Sequence, residues 1–344
     1  MAKTDGSSSS SSSTSSFVAG LTSPGFLYCV LLAFQFGLQP MIATRFTGSS
    51  VSRTSVVIGT ELGKIIIAFI SIMTEPLEAQ RKVLEGWTLA DSLKVAALPA
   101  TLYAIQNLFV QYGYVLLDSM TFNLLNQTKT LSAAFWLFII MGQKQSYVQI
   151  FALMLLLAAA YILNSDAGAA AAGGRADLAS YHFGIMMVCG ASMISGLSAA
   201  LTQRALVGAR PRHPLFFSAE LAVYGIAFLL LNALFNPNSN EKDLILSGGL
   251  FSGWSLMTLI PVVTNAFGGL VVGLVTKYAG GVVKGFALIA GLIITGFAQW
   301  LFENKALQPK DWVACALVAL SIYLHGSFPI RKGSTPSSAA KKDA

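Results

Sequence analysis

Apolar residues along this chain fall in blocks of about 20, each closed by a short polar break, and the blocks fill nearly its whole length. A helix of about 20 residues crosses the roughly 30 Å of hydrocarbon in a bilayer. The pattern therefore predicts transmembrane helices at 25–43, 53–74, 93–113, 118–140, 146–164, 182–205, 214–236, 249–275, 280–302 and 308–328. Breaks such as Gly142-Gln143-Lys144-Gln145-Ser146, Gly208-Ala209-Arg210-Pro211-Arg212 and Asn236-Pro237-Asn238-Ser239-Asn240 separate them. The shortest connections leave only antiparallel hairpins. No stretch remains for a soluble catalytic domain.

The two halves echo one another. Leu155 to Leu163 resembles Ala316 to Leu324, and the hairpins before them carry Lys144 and Lys305 at matching places. Five helices per half is an odd number, so duplicated halves would sit in opposite orientations, with a site near the midplane between them. The competing reading is that apolar helices look alike by composition. The expected fold is an all-α membrane protein of ten transmembrane helices in two inverted five-helix repeats. Its parts are a Ser-rich cytosolic tail at 1–24, a first repeat at 25–164, a lumenal loop at 165–181, a second repeat at 182–328 and a basic cytosolic tail at 329–344. The serine run Ser7 to Ser13 has no basic segment ahead of an apolar core, so the first helix is expected to act as an uncleaved signal anchor.

Composition agrees: 54% hydrophobic, 11% charged and mean hydropathy +0.65. The net charge of +7 does not call for nucleic acid, because the basic residues sit mainly in loops and tails. Of 22 lysines and arginines, three lie in the interior of spans; of the rest, at span ends and in loops and tails, thirteen fall on the side shared by the two termini and six on the other. That bias puts both termini in the cytosol. Cys29, Cys189 and Cys315 lie within apolar blocks and read as small core residues, not as a disulfide framework.

Charge within the spans carries the chemistry. A charged side chain at mid-bilayer costs a few kcal/mol or more, so each needs a partner, a cavity or a route to the surface. Glu61 and Lys64 are three apart on one helix face, where a structural ion pair is expected, inside a Gly59-to-Gly63 spacing that lets helices approach closely. Lys129 has no such neighbour. It follows Asn126-Gln127-Thr128 in mid-span, a polar run that is costly unless it lines water or ligand. Burial in a span makes that sequon a false glycosylation site. Lys284 stands one turn into a helix after Ala279-Gly280-Gly281, where backbone N–H groups, the helix dipole and an ammonium together suit a phosphate; snorkelling to the surface is the other reading. Tyr103, Gln106 and Asn107 share a face suited to stacking a base and bonding its edge, or else to bonding between helices. His182, His213 and His325 show no metal-ligand spacing, and no phosphate-binding loop or Ser-His-Asp pattern is visible, so neither an enzyme nor an ATP-driven pump is expected and no cofactor is implied.

Three stretches together resemble the nucleotide-sugar transporters of the drug/metabolite transporter superfamily. The first runs from Thr54-Ser55-Val56-Val57 through Glu61-Leu62 and Lys64. The second takes in Leu93-Lys94, Pro99, Tyr103, Gln106-Asn107, Leu117-Asp118-Ser119 and Asn126-Gln127-Thr128-Lys129. The third is Asn265-Ala266-Phe267-Gly268-Gly269-Leu270 with Lys277-Tyr278-Ala279 and Lys284-Gly285-Phe286-Ala287. The resemblance covers roughly 25–328. It implies the ten-helix inverted fold and exchange of a cytosolic nucleotide sugar for a lumenal nucleoside monophosphate. It also implies that Lys129 and Lys284 meet the phosphates while Tyr103, Gln106 and Asn107 line the nucleotide end. Gln127, Asn126, Phe122, Ser218, Glu220, Asn265 and Gly281 complete the expected substrate-binding set. The chain departs from the family at Gly280-Gly281, at Phe122 and at Ser218 and Glu220, which argues against CMP-sialic acid. Its runs at 124–129 and 143–146 resemble a plant branch of UDP-N-acetylhexosamine carriers, which points to UDP-GlcNAc or UDP-GalNAc, then UDP-galactose, exchanged for UMP.

The last residues, Lys341-Lys342-Asp343-Ala344, form a dilysine pattern of the kind retrieval coats read on cytosolic tails, or simply a basic tail. With it the expected address is the ER or Golgi membrane. Membrane lipid is an expected partner, nucleic acid is not, and a homodimer stays open. A sugar-phosphate or purine nucleotide-sugar carrier, and a non-transporting regulator of a glycosyltransferase, remain the alternatives.

Overall fold

The structure, a computed structural model, describes residues 23–48, 50–117, 122, 125–171, 178–235, 246–247, 249–303 and 308–329. Among them all regular structure is helical. The helices are α1 (Pro24–Phe46), α2 (Arg53–Met73), α3 (Leu77–Leu84), α4 (Leu98–Leu116), α5 (Lys129–Met141), α6 (Tyr147–Ala171), α7 (Leu178–Val207), α8 (Pro214–Phe235), α9 (Leu259–Tyr278), α10 (Gly281–Glu303) and α11 (Pro309–Ser327). Every one of the ten expected spans contains one of them. Five stretches are long and apolar enough to cross a membrane: Thr54–Met73, Ala179–Val207, Pro214–Phe235, Leu256–Tyr278 and Gly281–Phe302; shorter apolar stretches are Pro24–Gln39 and Tyr147–Ile162. This is the make-up of a multi-pass membrane protein.

Local chemistry sets the ends. Ser23 and Ser52 accept the amides of Phe26 and Ser55 at the starts of α1 and α2. Gly142, at φ 66°, closes α5 in the left-handed region that favours glycine. Pro309 opens α11, with Gln308 and Asp311 as a capping box. Ahead of α4, Leu93–Ala97 forms a π turn, next to Pro99, whose missing N–H removes a helical bond.

Packing joins the first five long helices to the last five. α7 lies against α4 and α5, α1 against α9 and α10, α2 against α8, and α6 against α11. Small residues make the crossings. A Cβ on Gly196 of α7 would fall 2.2 Å from Ser132 Oγ of α5, and one on Gly37 of α1 would fall 2.5 Å from the Gly291 carbonyl of α10. Ala152, Ala159 and Ala160 are fully buried, while Phe69, Ile66 and Phe151 point outward. Alanines inside and large apolar side chains outside reverse the arrangement of a soluble core, as expected when the solvent is lipid.

Several expectations change. The stretch 165–181, read as a loop, is helical through Ala171, because the alanine-rich run after Asp166 carries high helix propensity. α7 begins at Leu178, and a short helix, α3, stands between the second and third spans. The fourth span is not one continuous helix: a turn at Thr128 interrupts it, with helical residues 125–127 before and α5 after. Leu125 O accepts from the Thr128 amide (3.1 Å), from Thr128 Oγ1 (2.6 Å) and from Ser192 Oγ of α7 (3.0 Å), so the local break is satisfied by side chains. The cysteines are free, and Cys189 is exposed, not packed in a core. The serine run, Asp118, and the dilysine Lys341-Lys342 lie outside the described residues.

Candidate functional site

The break at Thr128 delivers Lys129 to the crossing of α5 and α10. One residue further along each helix, a Cβ on Gly285 would sit 2.5 Å from the Thr130 side chain, so the two backbones nearly touch there. Lys284 occupies the facing helix, and the two ammonium groups are close enough for their charges to act on one another. Neither is fully buried, and neither has a counter-ion or hydrogen-bond partner among the described residues. Two like charges side by side in a membrane-embedded crossing are unfavourable until an anion joins them.

Glu61, Lys64 and Glu220 are neutralised within the chain. Lys64 Nζ meets Glu61 Oε2 at 2.5 Å, and the Lys64 stem fills the space beside Gly269 on α9. Of the two spaced glycines, Gly59 packs on the Trp254 ring and Gly63 on Ala266 of α9. Glu220, expected at the sugar end, is elsewhere engaged: its carboxylate accepts from Arg212 Nη1 at 2.9 and 3.1 Å and from Trp87 Nε1 at 2.8 Å, while Arg212 Nη2 also bonds Asp91. Ser218 donates to the Pro214 carbonyl at 2.9 Å and packs on Gly273. In this arrangement the Glu220 carboxylate and the Ser218 hydroxyl are both bonded within the chain. Phe122 is core, buried among Leu117, Val188 and Val110.

The α10 N-terminus also differs from expectation. The Gly281 N–H, which was to offer itself to a phosphate, donates to Gln203 Oε1 of α7 at 2.6 Å, and Gln203 Nε2 donates to Gln143 Oε1 at 3.3 Å. In this arrangement the Gly281 N–H is bonded within the chain. Sequence reasoning missed Gln203; the signal was a glutamine at the end of an apolar span, in Thr202-Gln203-Arg204, where only the arginine was weighed.

Tyr103 and Gln106 lie on α4, which packs on α7 and α8, not directly on the α5–α10 crossing; α7 touches both sets. Gln106 Oε1 is buried without a partner among the described residues, an acceptor left open for a donor that they do not supply. Tyr103, Asn126 and Gln127 have no hydrogen-bond partner among the described residues, and Asn265 is exposed on α9. The backbone of Asn107 continues α4. A polar network not foreseen links α1 to α9: Gln39 Nε2 donates to the Pro261 carbonyl at 3.0 Å and Gln39 Oε1 accepts from Thr264 Oγ1 at 3.0 Å.

At the cytosol-side end expected from charge, His213 Nε2 is 3.3 Å from Glu75. Burial holds the His213 pKa below its ordinary value; Glu75 pulls it up and Lys277 pushes it down, and burial prevails. The Nδ1 atom is buried without a partner among the described residues, so a proton placed there would be an unsatisfied donor.

Comparison with known proteins shows the family. Residues 29–326 match the model of a family described as nucleotide-sugar transporter. A UDP-N-acetylglucosamine transporter of Arabidopsis thaliana, ROCK1, is 40% identical over 88% of this chain and 91% of its own. A UDP-N-acetylglucosamine/UDP-N-acetylgalactosamine transporter of Caenorhabditis elegans, nstp-4, is 28% identical over 73% of each chain. CMP-sialic acid transporter 4 of Arabidopsis thaliana is 26% identical over 71% of this chain and 67% of its own. A solved crystal structure superposes on 87% of this chain and 95% of its own with a TM-score of 0.56; at 13% identity it speaks for the fold alone. The matching proteins are carriers and not enzymes, and this chain belongs to the nucleotide-sugar transporter family.

Proposed function

We propose that this protein is an antiporter that brings a UDP-N-acetylhexosamine, UDP-GlcNAc or UDP-GalNAc, from the cytosol into the lumen of the ER or Golgi in exchange for UMP, with UDP-galactose the next candidate. The observation that carries the reading is the pair Lys129 and Lys284, brought together on two crossing helices with no counter-ion for either among the described residues. A pyrophosphate or a returning monophosphate supplies the missing charge. The nucleotide end is assigned to Tyr103, Gln106 and Asn107, with Asn126, Gln127 and Asn265 as further polar contacts; the unmet Gln106 acceptor supports this. The acetylated sugar is favoured by the names of the two more similar relatives described above.

We read the ten helices as two inverted five-helix repeats, both termini cytosolic, rocking around the central site. The packing supports it. Exchanging the first half for the second maps the α4–α7 contact onto α9–α1, α5–α7 onto α10–α1, and α4–α8 onto α9–α2, and leaves α2–α8, α5–α10 and α6–α11 in place. Individual bonds follow: Ser198 of α7 donates to the Pro99 carbonyl of α4 at 2.8 Å, as Gln39 of α1 does to that of Pro261 on α9. Lys129 and Lys284 then stand on helices related by the same exchange.

The test is uptake into proteoliposomes preloaded with UMP, with labelled UDP-GlcNAc, UDP-GalNAc, UDP-galactose and CMP-sialic acid offered in parallel. Saturable uptake of an acetylated UDP-sugar that requires internal UMP is expected, and Lys129→Ala or Lys284→Ala should abolish it. Uptake at the wild-type rate in Lys129→Ala would refute the lysine site. Competition by GMP or inorganic phosphate, but not by UMP, would move the substrate to another superfamily class.

A further inference from the structure

The Gln203 side chain is buried, and each end of its amide is used across an element boundary: Oε1 accepts from Gly281 at the start of α10, and Nε2 donates to Gln143 in the connection after α5. The two lysines proposed to hold the phosphates sit on those same two helices. The α9–α10 connection gives this contact leverage. The Ala279 and Gly280 amides both bond the Val275 carbonyl, and Gly280 turns at φ 93°, so the chain reverses at once into α10. The Lys284 amide bonds the Gly280 carbonyl at 3.1 Å, which makes Lys284 the end of the first turn whose first amide Gln203 holds. The fit at Gly281 is close: a Cβ would approach Gln203 Oε1 to 3.1 Å, a tight contact, and Leu137 Cδ1 to 3.6 Å, an ordinary one. The first turn of α10 is thus seated on α7 and on α5 by one amide.

We infer that Gln203 is a positioning residue for substrate phosphate recognition: it fixes the first turn of α10 so that Lys284 is presented to the same anion as Lys129. The inference rests on the phosphate role proposed above for Lys284. An amide suits the task because it offers an acceptor to Gly281 and a donor to Gln143 at once. Glutamate keeps the acceptor and loses the donor, and leucine loses both. The effect belongs to ligands that carry phosphate and not to the nucleoside alone, which separates positioning from a general loosening of the fold.

The experiment measures binding of labelled UMP to the purified full-length transporter, with competition by UDP-GlcNAc and by uridine, for wild type, Gln203→Leu, Gln203→Glu, Lys284→Ala and Gln203→Leu/Lys284→Ala. Gln203→Leu should weaken UMP and UDP-GlcNAc about tenfold, the loss expected of a hydrogen bond or two, and leave uridine unchanged. Gln203→Glu should restore most of the UMP affinity. The double variant should bind UMP no more weakly than Lys284→Ala. Equal weakening of uridine, failure of glutamate to restore binding, or full additivity with Lys284→Ala would each overturn the inference. Unchanged UMP affinity in Lys284→Ala alone would overturn the phosphate site itself, and the positioning role with it.

Discussion

Replacing Arg212 with methionine should destabilise the protein by about 3–5 kcal/mol, through one partner only. The guanidinium faces two carboxylates of unlike surroundings. Glu220 is 6% exposed and Asp91 51% exposed, so water already screens the Asp91 contact. An exposed pair contributes about 0–1 kcal/mol. Removing one member of a buried pair leaves the other charge without compensation, at about 3–5 kcal/mol. In Arg212→Met, Glu220 would retain a single donor, Trp87 Nε1. The companion change Glu220→Gln removes the stranded charge but keeps an acceptor for Trp87. The double variant should therefore be more stable than the two single effects summed, by about 1–3 kcal/mol. Equilibrium unfolding in mixed detergent micelles, carried around the four-variant cycle, reads both quantities. A cost below about 1 kcal/mol for Arg212→Met, or strict additivity, would show that the Glu220 carboxylate is not desolvated and refute the reasoning.

The other predictions concern distinct features. Gly196→Ala should destabilise by about 1–3 kcal/mol, because its Cβ would fall 2.2 Å from Ser132 Oγ, whereas Gly225→Ala, with Glu61 Oε2 4.0 Å from the new atom, should be neutral; the same unfolding assay compares them. His213 has a lowered pKa in the folded state, so the unfolded chain binds a proton that the native state refuses. Stability should then fall as pH drops through 6.5, the ordinary value, toward the lowered one, and Gln in place of His213 should flatten that slope. Replacing Lys341 and Lys342 with serine should shift the protein away from the ER if the tail is read by a retrieval coat, and unchanged location on imaging would exclude that role.

Much of the fold was legible because lipid makes one demand visible: about 20 apolar residues per crossing. A helix in each of the ten apolar blocks followed from that demand, five of them long and apolar enough to cross, and so did the suspicion attached to Lys129 and Lys284, since a charge in such a block stands out. Partnering was less legible. Glu61 and Lys64 could be paired because three residues on a helix is a local relation. Glu220 with Arg212 could not, since the guanidinium comes from a connection read only for topology and Trp87 arrives from 133 residues away. The Thr128 break was hidden too. The side chains that satisfy it include Ser192, on a helix whose register against α5 the sequence does not specify. Gln203 was missed for the same reason: its meaning lies in Gly281 and Gln143, not in its neighbours along the chain.

The paired lysines also bear on why such a carrier would exchange rather than leak. On the rocking motion proposed above, water would reach both ammonium groups in a state open to one side and would not midway, with the site empty and closed. The empty passage then carries two close, uncompensated cations, each costing about 2.5–3.5 kcal/mol at mid-bilayer on insertion scales. On the exchange mechanism proposed above, a bound phosphate would remove that penalty, so that the loaded protein would cross and the empty one would wait. Lys129→Gln deletes one of the two charges. It should lower exchange overall, yet raise the share of uptake that proceeds without internal UMP, because empty return becomes easier by up to about 10²-fold. The measurement is the ratio of initial UDP-sugar uptake into empty and UMP-loaded proteoliposomes, taken for wild type and variant at equal protein density. A ratio unchanged by Lys129→Gln, with measurable residual exchange, would mean that coupling resides in the gates and not in the charges of the site.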